Sequence, residues 1–455
     1  MNRIVPENRL LVVYGISLVP LALLSALYPS TALFCWTLVL AAGALFIADG
    51  ILALTRFQGI DVRLPILFRL SRNRRAHLPL VIRNLEEKPR RLTVGIRFPD
   101  QWLSGQTERQ IHIDTKKYTR VEWPLSGIRQ GRLVVKTIYL ETPSRLGFWA
   151  IRKQYDTDCE IRIYPDMFSE SRSLAALFHK MNMGAHAARQ LGKGKEFEKL
   201  REYMPGDSYE DIHWKATARR GTPISKVFQI EKTQDVYVFI DNSRLSARNI
   251  SQLNPGSENE AEPTGTQTTI LEQYISTALA IGMAAERLGD HFGLGVFSDR
   301  MDTFLPAGSG RSRFNACRDL LYILEHKPVS PDFTELITFA GNKIRRRALM
   351  ILLTNLDDPA MAEGFVRHTH ILSRRHVVLV NTIRPDAARP VFSDPDIHGV
   401  DEIYQALSGH MLWHDLKELE QSLRRMGIGF LASRAGNLSW DLISSYLRIK
   451  QRQML

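Results

Sequence analysis

Two long apolar runs near the N-terminus constrain this chain more than any other feature. They extend from Leu10 to Tyr28 and from Thr31 to Leu54, with Pro29 and Ser30 between them. At about 1.5 Å per helical residue, each run is long enough to cross about 30 Å of hydrocarbon. The sequence therefore predicts a transmembrane helical hairpin within residues 1–57. A signal peptide is the alternative for the first run, but this apolar stretch is longer than usual and a second span would still anchor the chain.

The charges beside the hairpin predict its orientation. Arg3 and Arg9 precede the hairpin, the connecting turn carries no charge, and arginines follow it at positions 56, 63, 69, 72, 74 and 75. Positive charge is enriched in cytoplasmic segments next to membrane spans. We therefore expect both termini and the later domains to lie in the cytoplasm, at a bacterial inner membrane. Asp49, near the end of the second run, is expected to reach the lipid headgroups.

The net charge of +12 fits nucleic acid, an anionic membrane surface or an acidic partner. The arginines beside the hairpin explain much of this charge, and no recognition helix or stacking motif favours nucleic acid. Cys35, Cys159 and Cys317 lie far apart and form neither a disulfide framework nor a zinc motif. A chain of 455 residues predicts two or three domains.

A period of two replaces the helical pattern from about residue 61 to residue 165. His77–Ile82, Leu92–Ile96, Leu133–Leu140 and Glu160–Tyr164 are typical of short strands with turns between them. About seven such strands predict an antiparallel β-sandwich at residues 58–165. Pro79 predicts that its strand lies at an edge or begins there. We expect this domain to be a spacer or interaction module without chemistry of its own.

A charged linker is predicted at residues 166–235, and it begins with a helix from Phe168 to Leu191. Its densest stretch of charge and turn residues lies between Gly192 and Gly221. A turn is predicted at Met204-Pro205-Gly206-Asp207, and Ser208 with Asp211 resembles a capping box for a short helix that Gly221 ends. Trp214 and its neighbouring alanines predict that one side of that helix is packed.

Three interpretations of this stretch remain open: an ion-paired structural junction, a surface for docking a partner, and a catalytic site. In the catalytic interpretation Glu202 or Asp207 would be the base. No nucleophile and no metal-ligand spacing accompanies them.

Strands alternate with helices after Gly221. The most apolar strands are Val236–Ile240, Gly293–Phe297, Ala348–Leu353 and Val377–Val380, and a last helix runs from Leu438 to about Lys450. Apolar strands separated by helices predict a doubly wound, mainly parallel α/β sheet at residues 236–455. The polar stretch Asn254–Gln267 predicts a loop.

Ligands of such sheets bind beyond the carboxyl ends of the strands, near the point where the strand order reverses. The residues expected there are Asp241, Asn242, Ser243, Ser246, Thr354, Asn355, Asp357 and Asp358, with Gly308-Ser309-Gly310 as a third candidate loop. Carboxylates and hydroxyls are hard oxygen ligands that suit Mg²⁺. The sequence therefore offers a candidate metal site at this edge.

Two motifs in the linker support a resemblance to a known family. They read Arg201-Glu202-Tyr203-Met204-Pro205-Gly206-Asp207 and Ile212-His213-Trp214-Lys215-Ala216-Thr217-Ala218-Arg219, and the strand after them ends in Asp241-Asn242-Ser243. With these motifs the chain resembles the domain of unknown function 58 family over nearly its whole length. The resemblance implies a von Willebrand factor A-like α/β domain, often encoded beside an AAA+ ATPase of the MoxR type. The residues it marks for partner binding are Arg201, Glu202, Tyr203, Gly206, Asp207, Trp214, Lys215 and Arg219.

The metal-ion-dependent adhesion site implied by the resemblance is present only in part. Asp241 and Ser243 match, but Leu245 stands at the second serine position and Asn355 stands where relatives have an aspartate. Ser309 is the candidate for the usual threonine. The resemblance thus implies at most a degenerate Mg²⁺ site at Asp241 and Ser243.

Taken together, these patterns predict a membrane-anchored cytoplasmic scaffold or adaptor without catalysis of its own. Its expected partner is a MoxR-type AAA+ ATPase that acts in the assembly or activation of envelope-associated complexes. One alternative is an adhesion-type receptor that binds a protein through a divalent metal. The other is a hydrolytic enzyme.

Overall fold

The computed structural model describes residues 2–452 except 58, 86–89, 100–101, 115–117, 167–190, 206, 230–232, 251–267, 392 and 394–398. The chain forms two compact units, Met1–Asp166 and Met167–Leu455. The predicted loop Asn254–Gln267, Gly206 and the predicted helix from Phe168 up to residue 190 lie outside the described residues.

Two apolar helices stand at the start of the first unit. Helix α1 spans Asn8–Leu27 and helix α2 spans Ala32–Ala53, with a 3-10 turn at Pro29–Thr31 between them. Both helices are long and apolar enough to cross a membrane, and most of their large side chains are exposed. Exposed apolar surface on this scale is unfavourable in water and favourable in lipid. The two predicted apolar helices are therefore present, with the surface that a membrane span needs.

The rest of the first unit consists of β-strands. They are β1 Asn2–Pro6, β2 Ile60–Arg63, β3 Leu67–Ser71, β4 Arg75–Asn84, β5 Arg90–Ile96, β6 Leu103–Gly105, β7 Glu108–Ile113, β8 Tyr118–Gly127, β9 Gly131–Pro143 and β10 Trp149–Tyr164. One sheet has the order β1-β10-β9-β5-β7, with β3 also beside β10, and the other has the order β2-β4-β8-β6. Inward-facing side chains of both sheets form one hydrophobic core.

The pairing of these strands differs from the prediction in one respect. Most neighbours are antiparallel, as predicted, but β3 runs parallel to the end of β10. This is feasible because β10 is 16 residues long and pairs with β1 through its first part. Pro79 lies in a part of β4 that β2 does not reach, so its missing N–H costs no ladder bond on that side. The prediction that this strand lies at an edge or begins at Pro79 is wrong, because β4 begins at Arg75 and lies between β2 and β8; only its first part, which contains Pro79, has no β2 partner.

The end of α2 is joined to the β-strands through Asp49. Its carboxylate accepts hydrogen bonds from the Ser144 hydroxyl at 2.6 Å and from the Leu146 N–H at 3.3 Å. Nearby, the Trp149 indole N–H donates to the Phe46 carbonyl at 2.9 Å. Asp49 is thus buried against protein, and the expectation that it reaches the headgroups is wrong. The sequence pattern missed this because the partners lie about 100 residues further along the chain.

The second unit begins with an antiparallel pair of strands, β11 Leu191–Glu202 and β12 Ile224–Gln229. Between them lie a 3-10 turn at Tyr209–Asp211 and helix α3, Trp214–Arg220. The predicted capping box is wrong, because Ser208 makes no side-chain cap. His213 caps α3 instead, and its Nδ1 accepts the Ala216 N–H at 3.0 Å. Gly221 ends α3 with φ of 72°, as predicted for a glycine C-cap.

A six-stranded sheet forms the remainder of the second unit. Its strands are β13 Asp235–Asp241, β14 His291–Phe297, β15 Met301–Gly308, β16 Leu349–Leu353, β17 Val377–Ile383 and β18 Gly429–Ser433. The spatial order is β15-β14-β13-β16-β17-β18, and only β15 is antiparallel to its neighbour. The predicted doubly wound, mainly parallel sheet is confirmed, and its order reverses between β13 and β16.

Helices cover both faces of this sheet. They are α4 Ile270–Leu288, α5 Arg311–Leu321, α6 Phe333–Lys343, α7 Pro359–Ser373, α8 Val400–Arg425 and α9 Leu438–Gln451. The core on one face includes residues of α4, α5 and α9, and the core on the other includes residues of α6, α7 and α8. Two buried faces explain why the central strands are almost continuously apolar.

Candidate functional site

The turn of the first signature motif is closed by its own charges. Arg201 donates from Nη2 to Asp207 Oδ1 at 2.6 Å, and the Met204 N–H donates to Asp207 Oδ2 at 3.1 Å. The Met204 N–H lowers the pKa of Asp207 most, and the Ser225 hydroxyl and the Arg201 guanidinium act in the same direction, because all three favour its ionised form. Next to this pair, the Tyr203 ring stacks on Tyr209 with centroids 6.0 Å apart. The first and last residues of the motif therefore shape the turn itself.

The second motif is held to β12 by one side only. The buried Ile212 forms a bridge with Ser225, and the Thr217 hydroxyl accepts the Ile224 N–H at 3.0 Å. The other side of α3 is open, since Trp214 is 69% exposed. The prediction that Trp214 is packed is wrong. Its spacing to Ala218 is helical as expected, but that face points away from the strands.

The exposed side chains of both motifs, together with those of the adjoining Leu200 and Tyr209, are what we call the signature face. Its members are Leu200, Glu202, Met204, Tyr209, Trp214, Lys215 and Arg219. Tyr209 is 75% exposed and Met204 is 57% exposed, so the apolar members are not core residues. Exposed large apolar side chains grouped with charges of both signs are typical of surfaces that bind other proteins. The motif residues thus divide into those that shape the turn, led by Arg201 and Asp207, and those that face solvent.

The predicted edge of the α/β sheet brings Asp241 and Thr354 together. Asp241 ends β13 and Thr354 follows β16, and these strands are neighbours at the point where the order reverses. The Thr354 hydroxyl donates to Asp241 Oδ2 at 2.7 Å, while the Ser243 N–H donates to Oδ1 at 2.8 Å. Both carboxylate oxygens thus have donors within the protein. Burial raises the pKa of Asp241, although the Ser243 and Thr354 hydrogen bonds act in the opposite direction.

A second charged pair stands beside this buried carboxylate. Arg248 donates to both oxygens of Asp357, from Nη1 at 2.7 Å and from Nη2 at 3.0 Å. The ring of Tyr274 is completely buried close by, and burial, followed by the charges of Asp241 and Asp357, raises its pKa well above the ordinary value. The sequence indicates Asp357 as a candidate metal ligand, but no signal in the sequence indicates its partner Arg248. The bidentate ion pair between Arg248 and Asp357 is a structural contact.

The donor groups at this edge do not fit a Mg²⁺ site. The Ser243 hydroxyl accepts the Leu245 N–H at 3.3 Å, and Ser246 turns its hydroxyl to the Ser243 carbonyl at 2.8 Å. Asp357 is engaged by Arg248, and the amide of Asn355 holds the Thr382 hydroxyl. Within the described ranges no three His, Cys, Asp or Glu side chains are grouped as metal ligands. Mg²⁺ requires near-octahedral oxygen geometry, and these donors are committed elsewhere.

Ser309 is not part of this edge. It follows β15, which runs antiparallel to β14, and Gly308 pairs with Phe292 at the beginning of β14. Asp241 pairs with Phe297 at the other end of β14. Ser309 therefore lies at the opposite edge of the sheet, and its assignment as the missing threonine is wrong. The sequence did not reveal that β15 is antiparallel.

A loop that sequence analysis did not single out closes the carboxyl edge. Lys327 donates its backbone N–H to the Asn242 carbonyl at 2.7 Å, and its ammonium group forms an ion pair with Asp302. The Ser298 hydroxyl donates to Asp302 at 3.0 Å and to Asp299 at 2.9 Å. Ser298 follows β14, so the same rule about strand ends could have found it. Lys327 had no such signal, because it lies in a loop between two helices.

Neither Cys159, in the first unit, nor Cys317, in the second, is suited to act as a nucleophile. Burial raises the pKa of Cys159 to about 11 and that of Cys317 to about 12. Both remain protonated thiols at neutral pH, and the thiolate is the nucleophilic form. Cys317 lies on α5 and belongs to the core on that face of the sheet.

Comparison with known proteins supports the motif-based resemblance. A family model described as "Protein of unknown function DUF58" matches residues 199–390. No curated protein has a sequence significantly similar to this chain. The segment 199–390 contains the whole signature face and both sides of the sheet edge at Asp241.

Three solved structures match part of this chain at low similarity. An aerotolerance-related membrane protein from Bacteroides fragilis NCTC 9343 is 17% identical, with 48% of this chain and 99% of that chain covered and a TM-score of 0.30. The conserved hypothetical protein BatB from Bacteroides thetaiotaomicron is 16% identical, with the same coverage and a TM-score of 0.30. The SpRpn10 VWA domain is 11% identical, with 47% of this chain and 95% of that chain covered and a TM-score of 0.27. At these TM-scores the three structures do not define the arrangement of this chain. The family model matches residues 199–390, which is less than half of the chain, and this segment is similar to the domain of unknown function 58 family.

Proposed function

We propose that this protein is a membrane-anchored cytoplasmic adaptor that binds a protein partner through the signature face. The observation that carries the proposal is the exposure of Trp214 and Tyr209 on a segment whose turn is closed by Arg201 and Asp207. A rigid turn reduces the entropy lost on binding, and aromatic side chains supply large contact area. A purely structural junction would instead bury these rings.

The membrane anchor in this proposal is the pair α1 and α2. Their exposed apolar surfaces support it, and so do the arginines that flank both ends. Strand β1 precedes α1 and β2 follows α2, so the pair begins and ends in the same unit. We place the membrane hairpin within residues 1–57, where β1 pairs with β10 of the first unit, a β-sandwich spacer at 58–165, the linker with its signature at 166–235 and a von Willebrand factor A-like domain at 236–455.

The proposed partner is an AAA+ ATPase of the MoxR type. The support is the resemblance of the motifs 201–207 and 212–219 to a family often encoded beside such ATPases. The role would be the assembly or activation of envelope-associated complexes at the bacterial inner membrane, without catalysis by this chain. Glu202, the base of the enzymatic alternative, is exposed on the surface, and Asp207 is occupied by Arg201 and Met204. The metal-dependent receptor has no fitting ligand set among the described residues.

Co-purification from solubilised membranes tests this proposal. Full-length protein with an affinity tag should recover a MoxR-type ATPase expressed in the same cells. Trp214→Ala and Tyr209→Ala should each reduce recovery by roughly tenfold, the loss expected for an aromatic hot spot. Trp440→Ala is the matched control, because Trp440 is also an exposed tryptophan of the second unit, 37% exposed, and lies on α9. Equal recovery with Trp214→Ala and Trp440→Ala would overturn the assignment of the signature face.

A further inference from the structure

An apolar groove lies between α7 and α8. Its volume is about 280 Å³, and Ala362, Val366, Leu412 and Leu416 are among its apolar lining residues. The groove reaches Leu356, in the loop after β16, and therefore opens at the same edge of the sheet as Thr354. Grooves of this kind between helices accommodate apolar side chains of a ligand or partner.

An exposed apolar stripe continues this groove along α8. Val400, Tyr404, Leu407 and Met411 recur at spacings of four, three and four, which places them on one helix face. Their exposed fractions are 67%, 67%, 48% and 62%. Glu418 follows Met411 by seven residues and lies on the same face, where it lines the groove. We call the stripe together with the groove the α8 face.

The charges on the α8 face are acidic, although the chain as a whole is basic. The groove is lined by Asp357, Glu363, Asp415 and Glu418 and, among the described lining residues, by no lysine or arginine. Arg248 already pairs with Asp357, and Arg367 pairs with Glu363 at 2.9 Å. Asp415 and Glu418 are both exposed, and Glu418 Oε1 lies 3.9 Å from His414 Nδ1. These two carboxylates are the ones that a basic partner would reach.

We propose that the α8 face binds a basic amphipathic helix of a partner protein. The apolar side of that helix would cover Tyr404, Leu407 and Met411, and its lysines or arginines would reach Asp415 and Glu418. The stripe from Val400 to Glu418 is about 27 Å long at 1.5 Å per residue, which matches about five turns of a bound helix. In this type of recognition, apolar side chains spaced along one face of the bound helix insert into an apolar groove of the receptor.

The charge argues for this occupant over two others. An anionic lipid surface would be repelled by Asp415 and Glu418. A second copy of the same face would bring no lysine or arginine to the two carboxylates, because Lys417, the one such residue in the sequence at 400–422, lies outside the stripe and the groove lining and pairs with Glu420. The contact is additional to the signature face, and it neither requires nor excludes an ATPase there.

Site-specific photocrosslinking in intact membranes tests the proposal. The photoreactive residue p-benzoylphenylalanine, placed at Tyr404 of the full-length protein, is expected to give a protein adduct. Mass spectrometry of the crosslinked peptide should reveal a helical segment with apolar residues on one side and at least two lysines or arginines on the other. The same probe at Ile323, which is 50% exposed and lies outside the α8 face, should not capture that peptide.

Charge reversal separates the proposed contact from nonspecific capture. Asp415→Lys with Glu418→Lys should reduce the adduct about fivefold or more, and Asp415→Asn with Glu418→Gln should reduce it by a smaller factor. Glu286→Lys with Glu335→Lys is the matched control, because both side chains are exposed and lie outside the groove. Trp214→Ala should leave the adduct unchanged, so failure here is distinguishable from failure at the signature face. An adduct to lipid or to a second copy, no adduct, or an adduct insensitive to charge reversal overturns the proposal.

Discussion

His376, directly before β17, is buried, and neither ring nitrogen has a hydrogen-bond partner among the described residues. Burial, with Arg375 and Arg347 nearby, lowers its pKa below the ordinary value of 6.5. In the unfolded chain the ring takes up a proton near pH 6.5, whereas the folded protein resists it until lower pH. The contribution of neutral His376 to the free energy of unfolding is therefore fully present above pH 6.5. It is lost as the pH falls from 6.5 towards the lowered pKa of the folded state.

We predict that His376→Leu makes the thermal unfolding midpoint less sensitive to acid. For the full-length protein in detergent, the midpoint should fall less between about pH 7.5 and about pH 5.5 than it does for the wild type, because leucine takes up no proton. His370→Leu, an exposed histidine on α7, is the matched control. Equal pH dependence of the wild type and His376→Leu would contradict the assigned cause.

The pair of Arg248 and Asp357 gives a second prediction for single residues. Both side chains are partly buried, with 34% of Arg248 and 18% of Asp357 exposed. If one partner is removed, the remaining charge is partly desolvated and has no opposite charge to compensate for it. Arg248→Met should lower the free energy of unfolding by about 1–3 kcal/mol. Asp357→Asn in the same protein should recover part of this loss. Urea unfolding followed by tryptophan fluorescence measures both, and additive effects in the double variant would show that the pair is not coupled.

The residues that sequence analysis placed correctly obey a local rule, and those it missed depend on distant partners. Asp241 and Thr354 follow apolar strands, and strand ends meet at the edge where the order reverses. Arg248 pairs with a carboxylate 109 positions away, which no spacing within either segment indicates. Trp214 was misjudged because helical spacing defines a face of α3 but does not say which face the strands cover.

Among the secondary-structure elements, α2 offers the clearest test of how the hairpin is attached. Asp49→Leu would leave the Ser144 hydroxyl and the Leu146 N–H without their acceptor, at a cost of about 1–3 kcal/mol. The apolar character of α2 would be preserved. We predict faster proteolysis of the loop between β9 and β10 in membrane vesicles, since that loop loses its contact with α2. Ile51→Leu, an exposed substitution on the same helix, should leave the cleavage rate unchanged.

The elements differ in how far their sequences determined them. The strands of the α/β sheet were predictable because both faces of the sheet are buried. A short, continuous apolar run is typical of a strand in such a sheet. The parallel pairing of β3 with β10 was not predictable. It joins segments about 90 residues apart, and the alternation of apolar and polar residues in each strand does not indicate which strand it pairs with. Likewise, α3 begins at an N-cap formed by His213, whereas N-cap preferences favour a serine such as Ser208.

For the molecule as a whole, the proposed sidedness of the membrane anchor rests on the number of apolar helices among the described residues. Among the described residues only α1 and the segment Pro29–Ala53 are long and apolar enough to cross a membrane. An even number of spans returns the chain to its starting side, and the flanking arginines favour the cytoplasm for that side. The three native cysteines are buried and contribute little background to labelling.

We predict opposite accessibility for two introduced cysteines in intact cells. Ser30→Cys, in the exposed turn between the apolar helices, should react with a membrane-impermeant maleimide added outside. Ser408→Cys, exposed on α8, should react only after the cells are lysed, because the cytoplasmic membrane shields the second unit. Lysis supplies the control, since both cysteines must then be labelled. Labelling of Ser408→Cys before lysis would place the second unit outside the cell, where a cytoplasmic ATPase and its nucleotide are absent, and the adaptor proposal would fail together with the orientation.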